Sequence, residues 1–147
     1  MICTIKHQKI LGYSYKLPKK IMDGCEVIAV PNSKNIGIGQ KDPRLTMTPE
    51  EKIVVQKLTL SLTRKINEQK GVLWNGNEYH SDPESQARLA NTMYALDKGM
   101  LTAPISWKTK NGTFVTLSAV DIGALAQAIA QHVEAQFNSE KTALEAL

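Results

Sequence analysis

Trp-Lys-Thr-Lys-Asn-Gly-Thr-Phe-Val-Thr-Leu-Ser-Ala-Val-Asp-Ile-Gly-Ala-Leu, residues 107–125, carries three structural signals in succession. A polar turn, Lys110-Asn111-Gly112, separates two runs that alternate apolar and polar residues. Asn-Gly suits the positive backbone angles of a tight hairpin. Ser118 then stands three places before Asp121, close to a capping box with Asp in place of Glu. A helical apolar pattern follows at once. The segment predicts hairpin, cap and helix.

The same grammar is legible upstream. Thr48-Pro49-Glu50-Glu51 opens a helix with Thr as cap and Pro at the first helical position, and Gly71 closes it near Lys70. Val55, Leu58, Leu62 and Ile66 form its expected apolar stripe, widened by Ile53, Val54 and Leu60. Val72 to His80 reads as a hairpin turning at Asn75-Gly76. Ser81-Asp82-Pro83-Glu84 opens a second helix, with Ala87, Ala90, Met93, Tyr94 and Leu96 as its expected buried side and Gly99 as its stop. The last helix starts at Ala119 and can reach the C-terminus. Its seam is Ile122, Leu125, Ile129 and Val133, continued by Phe137, Leu144 and Leu147, with Asn138-Ser139 as an expected weak point.

Helix, hairpin, helix, hairpin, helix is an α+β domain over residues 48–147. An isolated hairpin is marginal in water, so the two hairpins are expected to join in one small antiparallel sheet, or to pair with strands from the N-terminal region. Trp74 and Trp107, each near the end of a hairpin's first strand, are expected to pack on the helices. Residues 1–47 mix short apolar pieces with Gly, Pro, Asn and Lys, and read as an extended N-terminal docking arm. Cys25 to Val30 is a strand closed by Pro31-Asn32, and Ile2–Ile5 and Leu11–Leu17 are further short strands. Asn35 to Gly39 has the glycines of a phosphate loop without its Gly-Lys-Ser/Thr ending, and reads as a connector.

Composition narrows the chemistry. The chain of 147 residues is 42% hydrophobic but only 5% aromatic, so its core is built from aliphatic side chains. The formal net charge of +4 comes mainly from residues before 71. Lys16, Lys19 and Lys20 beside Tyr13 and Tyr15 are a candidate base-stacking patch, but an exposed lysine-rich turn around Pro18 is the simpler reading. The first two helices are also too far apart for a helix-turn-helix. Both points argue against nucleic acid as the partner. Cys3 and Cys25 complete no zinc set and are read as free thiols of a cytoplasmic product. No apolar run approaches the ~20 residues of a membrane span. His7, His80 and His132 are far apart and carry no catalytic spacing. Glu78, Asp82 and Glu84 around His80 are an oxygen-ligand candidate for a cation, but lack a calcium-loop pattern, and helix capping explains Asp82 and Glu84. The expectation is a protein without cofactor, metal or catalytic residues.

From Trp74 onward the chain resembles a small domain of unknown function found in bacteriophage tail and tail-fibre assembly proteins. The resemblance rests on Tyr79-His80-Ser81-Asp82-Pro83-Glu84-Ser85-Gln86, on Ile105-Ser106-Trp107-Lys108-Thr109, on Asn111 to Asp121, and on Ala130-Gln131-His132-Val133. It covers roughly residues 48–147 and brings no catalytic residues. It implies a structural or adaptor protein acting on other tail, baseplate or tail-fibre proteins, made in the host cytoplasm and carried into the virion tail. A tail-fibre assembly chaperone is one alternative, a nucleic-acid-binding protein using the basic N-terminal region is the other, and a homo-oligomer is left open. The contact residues expected on this reading are Cys25, Val27, Ile28 and Val30 of the arm, which would add a strand to a neighbour's sheet edge, and Ile129, Val133 and Phe137 of the long helix.

Overall fold

A computed structural model of the protein describes residues 2–6, 9–14, 25–30 and 41–147. The elements are β1 (Ile2–Lys6), β2 (Lys9–Ser14), β3 (Glu26–Ala29), a 3-10 turn at Pro43–Thr46, α1 (Pro49–Glu68), β4 (Val72–Trp74), β5 (Asn77–Tyr79), α2 (Pro83–Asp97), β6 (Ile105–Lys108), β7 (Phe114–Leu117) and α3 (Ala119–Glu145). This is an α+β architecture, as the pattern predicts. The chain divides into two compact units: residues 1–66 with 140–147, and residues 67–139.

In the first unit, the short strands expected near the N-terminus pair with one another. They form an antiparallel sheet in the order β2-β1-β3. Cys3, Ile5, Ile28 and Val30 bury their side chains in a cluster with Val55 of α1 and with Met47, which follows the 3-10 turn. Arg44 ties β3 to the turn before α1 by pairing with Glu26 (2.6 and 2.8 Å) and Asp42 (2.6 Å). Burial by itself pushes the Asp42 carboxyl up, but hydrogen bonds from the Arg44 side chain and backbone outweigh it and hold the group below its ordinary value. The Arg64 Nε–H donates to Glu140 of α3 at 2.5 Å, and the Ser61 hydroxyl donates to the same carboxylate.

The cap of α1 is the reciprocal box expected. The Thr48 N–H donates to Glu51 Oε2 (3.0 Å), and the Glu51 N–H donates to Thr48 Oγ1 (3.2 Å). Thr48→Ala removes the acceptor and should lower stability by about 1 kcal/mol in urea titration. A Thr48→Ser variant, which keeps the oxygen, should stay near the parent. The expected stripe of α1 holds only in part. Val55 and Leu62 are buried, but Leu58, Ile53 and Val54 are exposed.

The second unit has its own core of Tyr79, Leu89, Leu117, Ile122, Leu125 and Ile129. Trp74 and Trp107 pack against it, as expected, and Trp74 meets Tyr79 edge-on at 5.9 Å. Asn75 (φ 46°) and Gly76 (φ 76°) make the two-residue turn between β4 and β5. The two hairpins do not join in one sheet. They remain separate two-stranded ladders, linked by a hydrogen bond from the Lys110 N–H to the Glu78 carbonyl (2.8 Å). Packing of one face on the core, not further pairing, is what holds such short hairpins.

Helix α2 turns a different side inward from the one expected. Leu89 is buried and Leu96, of the expected set, packs against the core, whereas Ala87, Ala90, Met93 and Tyr94 are exposed. Helix α3 buries Ile122, Leu125 and Ile129 as expected. It passes through Asn138-Ser139 without a break, the Ser139 hydroxyl bonding back to the Ala135 carbonyl (2.9 Å). Ser118 and Asp121 form the predicted box at its start, with the Ser118 N–H donating to Asp121 Oδ2 (2.9 Å) and the Asp121 N–H donating to Ser118 Oγ (3.1 Å).

Candidate functional site

Within the unit of residues 67–139, the first turns of α2 and the β6–β7 hairpin enclose a cavity of about 340 Å³. Its walls are His80, Ser85 and Arg88 on one side and Trp107 to Gly112 on the other.

The hairpin side is built around Asn111. The Gly112 N–H donates to the Thr109 carbonyl (3.0 Å), and the Thr109 N–H donates to the Thr113 carbonyl (2.8 Å). Gly112 has φ 93°, and Asn111 is not in the left-handed region. The loop is therefore a turn followed by a glycine bulge, not the two-residue turn that Asn-Gly suggests. Longer spacing explains the difference: Lys108 pairs with Phe114, leaving five residues between the strands where Trp74–Asn77 leaves two. Asn111 Oδ1 accepts from the Thr113 N–H (3.0 Å) and the Thr113 hydroxyl (2.6 Å), and lies 2.6 Å from the buried Thr109 hydroxyl. An N–H can only donate, so the atom facing Thr113 N is the amide oxygen and the NH₂ is turned the other way. The Lys110 ammonium donates to the Lys70 carbonyl and lies 3.5 Å from Glu78 Oε2. The Lys108 ammonium sits over the Phe114 ring, 5.8 Å from its centroid.

The α2 side is fixed by capping. Asp82 Oδ1 accepts from the Ser85 N–H (2.9 Å), and Asp82 Oδ2 accepts from the Ser85 hydroxyl (2.9 Å). Pro83 occupies the first helical position. The Gln86 side chain donates to the Ser81 carbonyl (2.8 Å), and Ser81, fully buried, bonds through its hydroxyl to the Glu68 carbonyl and the Gly71 N–H. Arg88 pairs with Glu84 one turn back (2.8 Å), and His80 Nδ1 lies 3.8 Å from Asp82 Oδ2.

Burial pushes the Asp82 carboxyl up, but the two Ser85 hydrogen bonds overcome it and leave the group below its ordinary value. A carboxylate lowered in the folded state adds stability that is complete above its unfolded pKa of about 4 and fades as pH falls through the folded value. Asn caps as well as Asp without titrating in this range. Asp82→Asn should therefore flatten the loss of stability below about pH 4, seen as a smaller drop in urea midpoint on acidification.

The wall chemistry is one-sided. Arg88, Lys108, Lys110 and the Asn111 NH₂ all donate, and among the described residues no carboxylate lies in the wall. The acidic cluster read around His80 does not converge. Glu78 turns to Lys110, Glu84 to Arg88, and Asp82 to the helix cap. Among the described residues, no group of three or more His, Cys, Asp or Glu is placed to hold a metal ion. The arrangement can hold an anion.

The family model described as a domain of unknown function, DUF4376, matches residues 56–147. The chain belongs to the DUF4376 family. The match contains every residue of the cavity wall. No curated protein and no solved structure matches the chain.

The contact residues read from the sequence fall elsewhere in this DUF4376 chain. Ile28 and Val30 are buried in the first core and Ile129 in the second. Val133 packs against the second core, and Cys25 and Val27 are half-buried. Phe137 is the exposed member, at 50%. At Ile28, Val30 and Ile129 the apolar pattern marks positions that the chain covers for itself. His132 Nε2 lies 3.1 Å from the Asn67 carbonyl, within its own unit. His7, Lys16, Lys19, Lys20, Tyr15 and the Asn35–Gly39 loop lie outside the described residues, as does the side chain of Tyr13. Both cysteines are free thiols, Cys3 buried and Cys25 half-buried. Among the described residues, no helix is long and apolar enough to cross a membrane.

No motif or spacing in the sequence marks Ser85, Arg88, Lys108 and Asn111 as a site. A signal was present. No acidic residue occurs between Asp97 and Asp121, while Lys98, Lys108 and Lys110 do.

Proposed function

We propose that the protein is a bacteriophage tail-associated structural or adaptor protein that works by protein–protein contact with other tail, baseplate or tail-fibre proteins. The observation that carries this reading is the placement of phenylalanine. The chain has two, and both face solvent, Phe114 at 66% and Phe137 at 50%. Phenylalanine is among the side chains most often buried, and aromatic residues are enriched at protein interfaces. An aromatic-poor chain that leaves both at its surface is suited to gripping another polypeptide. The motifs at Tyr79–Gln86 and Trp107–Asp121, which carry the resemblance to tail and tail-fibre assembly domains, supply the tail context.

Mass spectrometry of purified phage particles from a host expressing the protein tests the reading. Recovery at constant stoichiometry with tail proteins is expected. Phe114→Ser with Phe137→Ser should leave the fold within about 0.5 kcal/mol of the parent and reduce incorporation. Absence from particles, with rescue of a co-expressed fibre protein's solubility, would replace the adaptor reading by that of a fibre-assembly chaperone. Absence from particles without such rescue would end both.

A further inference from the structure

We infer that the cavity between α2 and the β6–β7 hairpin receives a carboxylate-rich segment of a partner polypeptide. The inference rests on the adaptor reading and names the chemistry of the partner. Three observations converge on it.

Among the described residues, the wall offers donors and cations but no carboxylate. Two of the cations are already engaged, Arg88 with Glu84 and Lys110 with the Lys70 carbonyl and Glu78. Lys108 is different: its ammonium rests over the Phe114 ring, and no carboxylate lies within ion-pair distance of it among the described residues. It is the cation most able to accept an incoming charge.

The second observation is Asn111. Its amide oxygen is consumed by Thr109 and Thr113, which fixes the NH₂ outward as a donor without a hydrogen-bond partner among the described residues. An oriented donor costs less conformational freedom on binding than a free side chain.

The third is Trp107, half-buried in the core and half in the cavity wall. A bare inorganic anion would leave that apolar surface and most of the 340 Å³ unused. A peptide segment covers both, with carboxylates toward Lys108 and Asn111 and aliphatic carbons against the indole.

The test uses the isotope-labelled full chain in NMR titrations with an oligoglutamate peptide, an oligoglutamine peptide and inorganic phosphate. Oligoglutamate should shift the Trp107 indole N–H, the Asn111 NH₂ and the Lys108 resonances along one saturating curve, weakened by added salt. Oligoglutamine should not. Lys108→Glu should weaken oligoglutamate binding about tenfold. Asn111→Asp keeps the acceptor that organises the loop but turns the outward donor into a repelling carboxylate, and should weaken binding by a similar factor. Both positions are exposed, so each variant should keep the parent's spectrum elsewhere. Equal shifts from oligoglutamine, equal shifts from phosphate alone, or undiminished binding by both variants would overturn the inference. Particle incorporation without peptide binding removes this inference and spares the adaptor reading. Peptide binding without incorporation does the reverse.

Discussion

Ile122→Ala is expected to lower the stability of the protein by about 2–5 kcal/mol, the range for truncating a buried aliphatic side chain. Ile122 is fully buried at the centre of the second core, beside Leu117, Leu125 and Tyr79. Two terms add: the transfer free energy of the lost carbons, and the space left in a core whose neighbours belong to three different elements. Those neighbours cannot close on the space together, because the capping box at Ser118 holds the start of α3 and the short β7 ladder holds Leu117. A loss of this size is a large part of the ~5–15 kcal/mol of a small domain. Urea titration followed by tryptophan fluorescence reports it directly, since Trp74 and Trp107 pack on this core. Val120, two residues away on the same helix and 81% exposed, supplies the control. Val120→Ala should change stability by no more than about 0.5 kcal/mol. Equal losses in the two variants would mean that the second core is misplaced.

Gly71→Ala is the second substitution with a large expected effect, about 2–4 kcal/mol. Gly71 follows α1 and has φ 91°, where an L-residue is strained. A Cβ there would also lie 2.6 Å from the Tyr79 carbonyl oxygen and 3.3 Å from the Lys110 side chain. The carbonyl belongs to β5 and cannot rotate away as a side-chain tip can. Relief would have to come from moving the chain after α1, and the bond from the Gly71 N–H to Ser81 would stretch with it. Gly76→Ala separates the two causes. Gly76 has φ 76° but nothing within 4 Å of a Cβ, so it carries the backbone strain alone and should cost about 1 kcal/mol. Gly71→Asn tests the crowding, because Asn tolerates the left-handed region yet still carries a Cβ. If Gly71→Asn matched the parent in a urea titration, the close approach to Tyr79 would be refuted.

What the sequence made legible was local. Thr48 with Glu51, Asp82 with Pro83, Ser118 with Asp121, and Asn75-Gly76 each act within a few residues, through one hydrogen bond or one backbone angle, and each is found where it was read. Which side of a helix faces inward is not a local property. In α1 the apolar residues Ile53, Val54, Val55 and Leu58 surround the axis, and only contact with the N-terminal sheet selects Val55. In α2 the run of Ala, Met and Tyr outweighs Leu89 in the pattern, although Leu89 is the residue buried in the core, with Leu96 packed against it. The cavity was hidden for a related reason. Its halves lie at residues 80–88 and 107–112, and neither is unusual until the fold sets them face to face.

Both cysteines fall in the unit of residues 1–66 and 140–147, and none in residues 67–139. Cys3 is sealed in the β2-β1-β3 core, where burial pushes its thiol pKa up and leaves less of the reactive thiolate. In a Cys25→Ser background, alkylation of Cys3 becomes a clock for the opening of that unit alone, while the two tryptophans register the other. The molecule thus carries separate natural reporters for its halves, and comparing their rates would reveal whether the two melt together or one after the other.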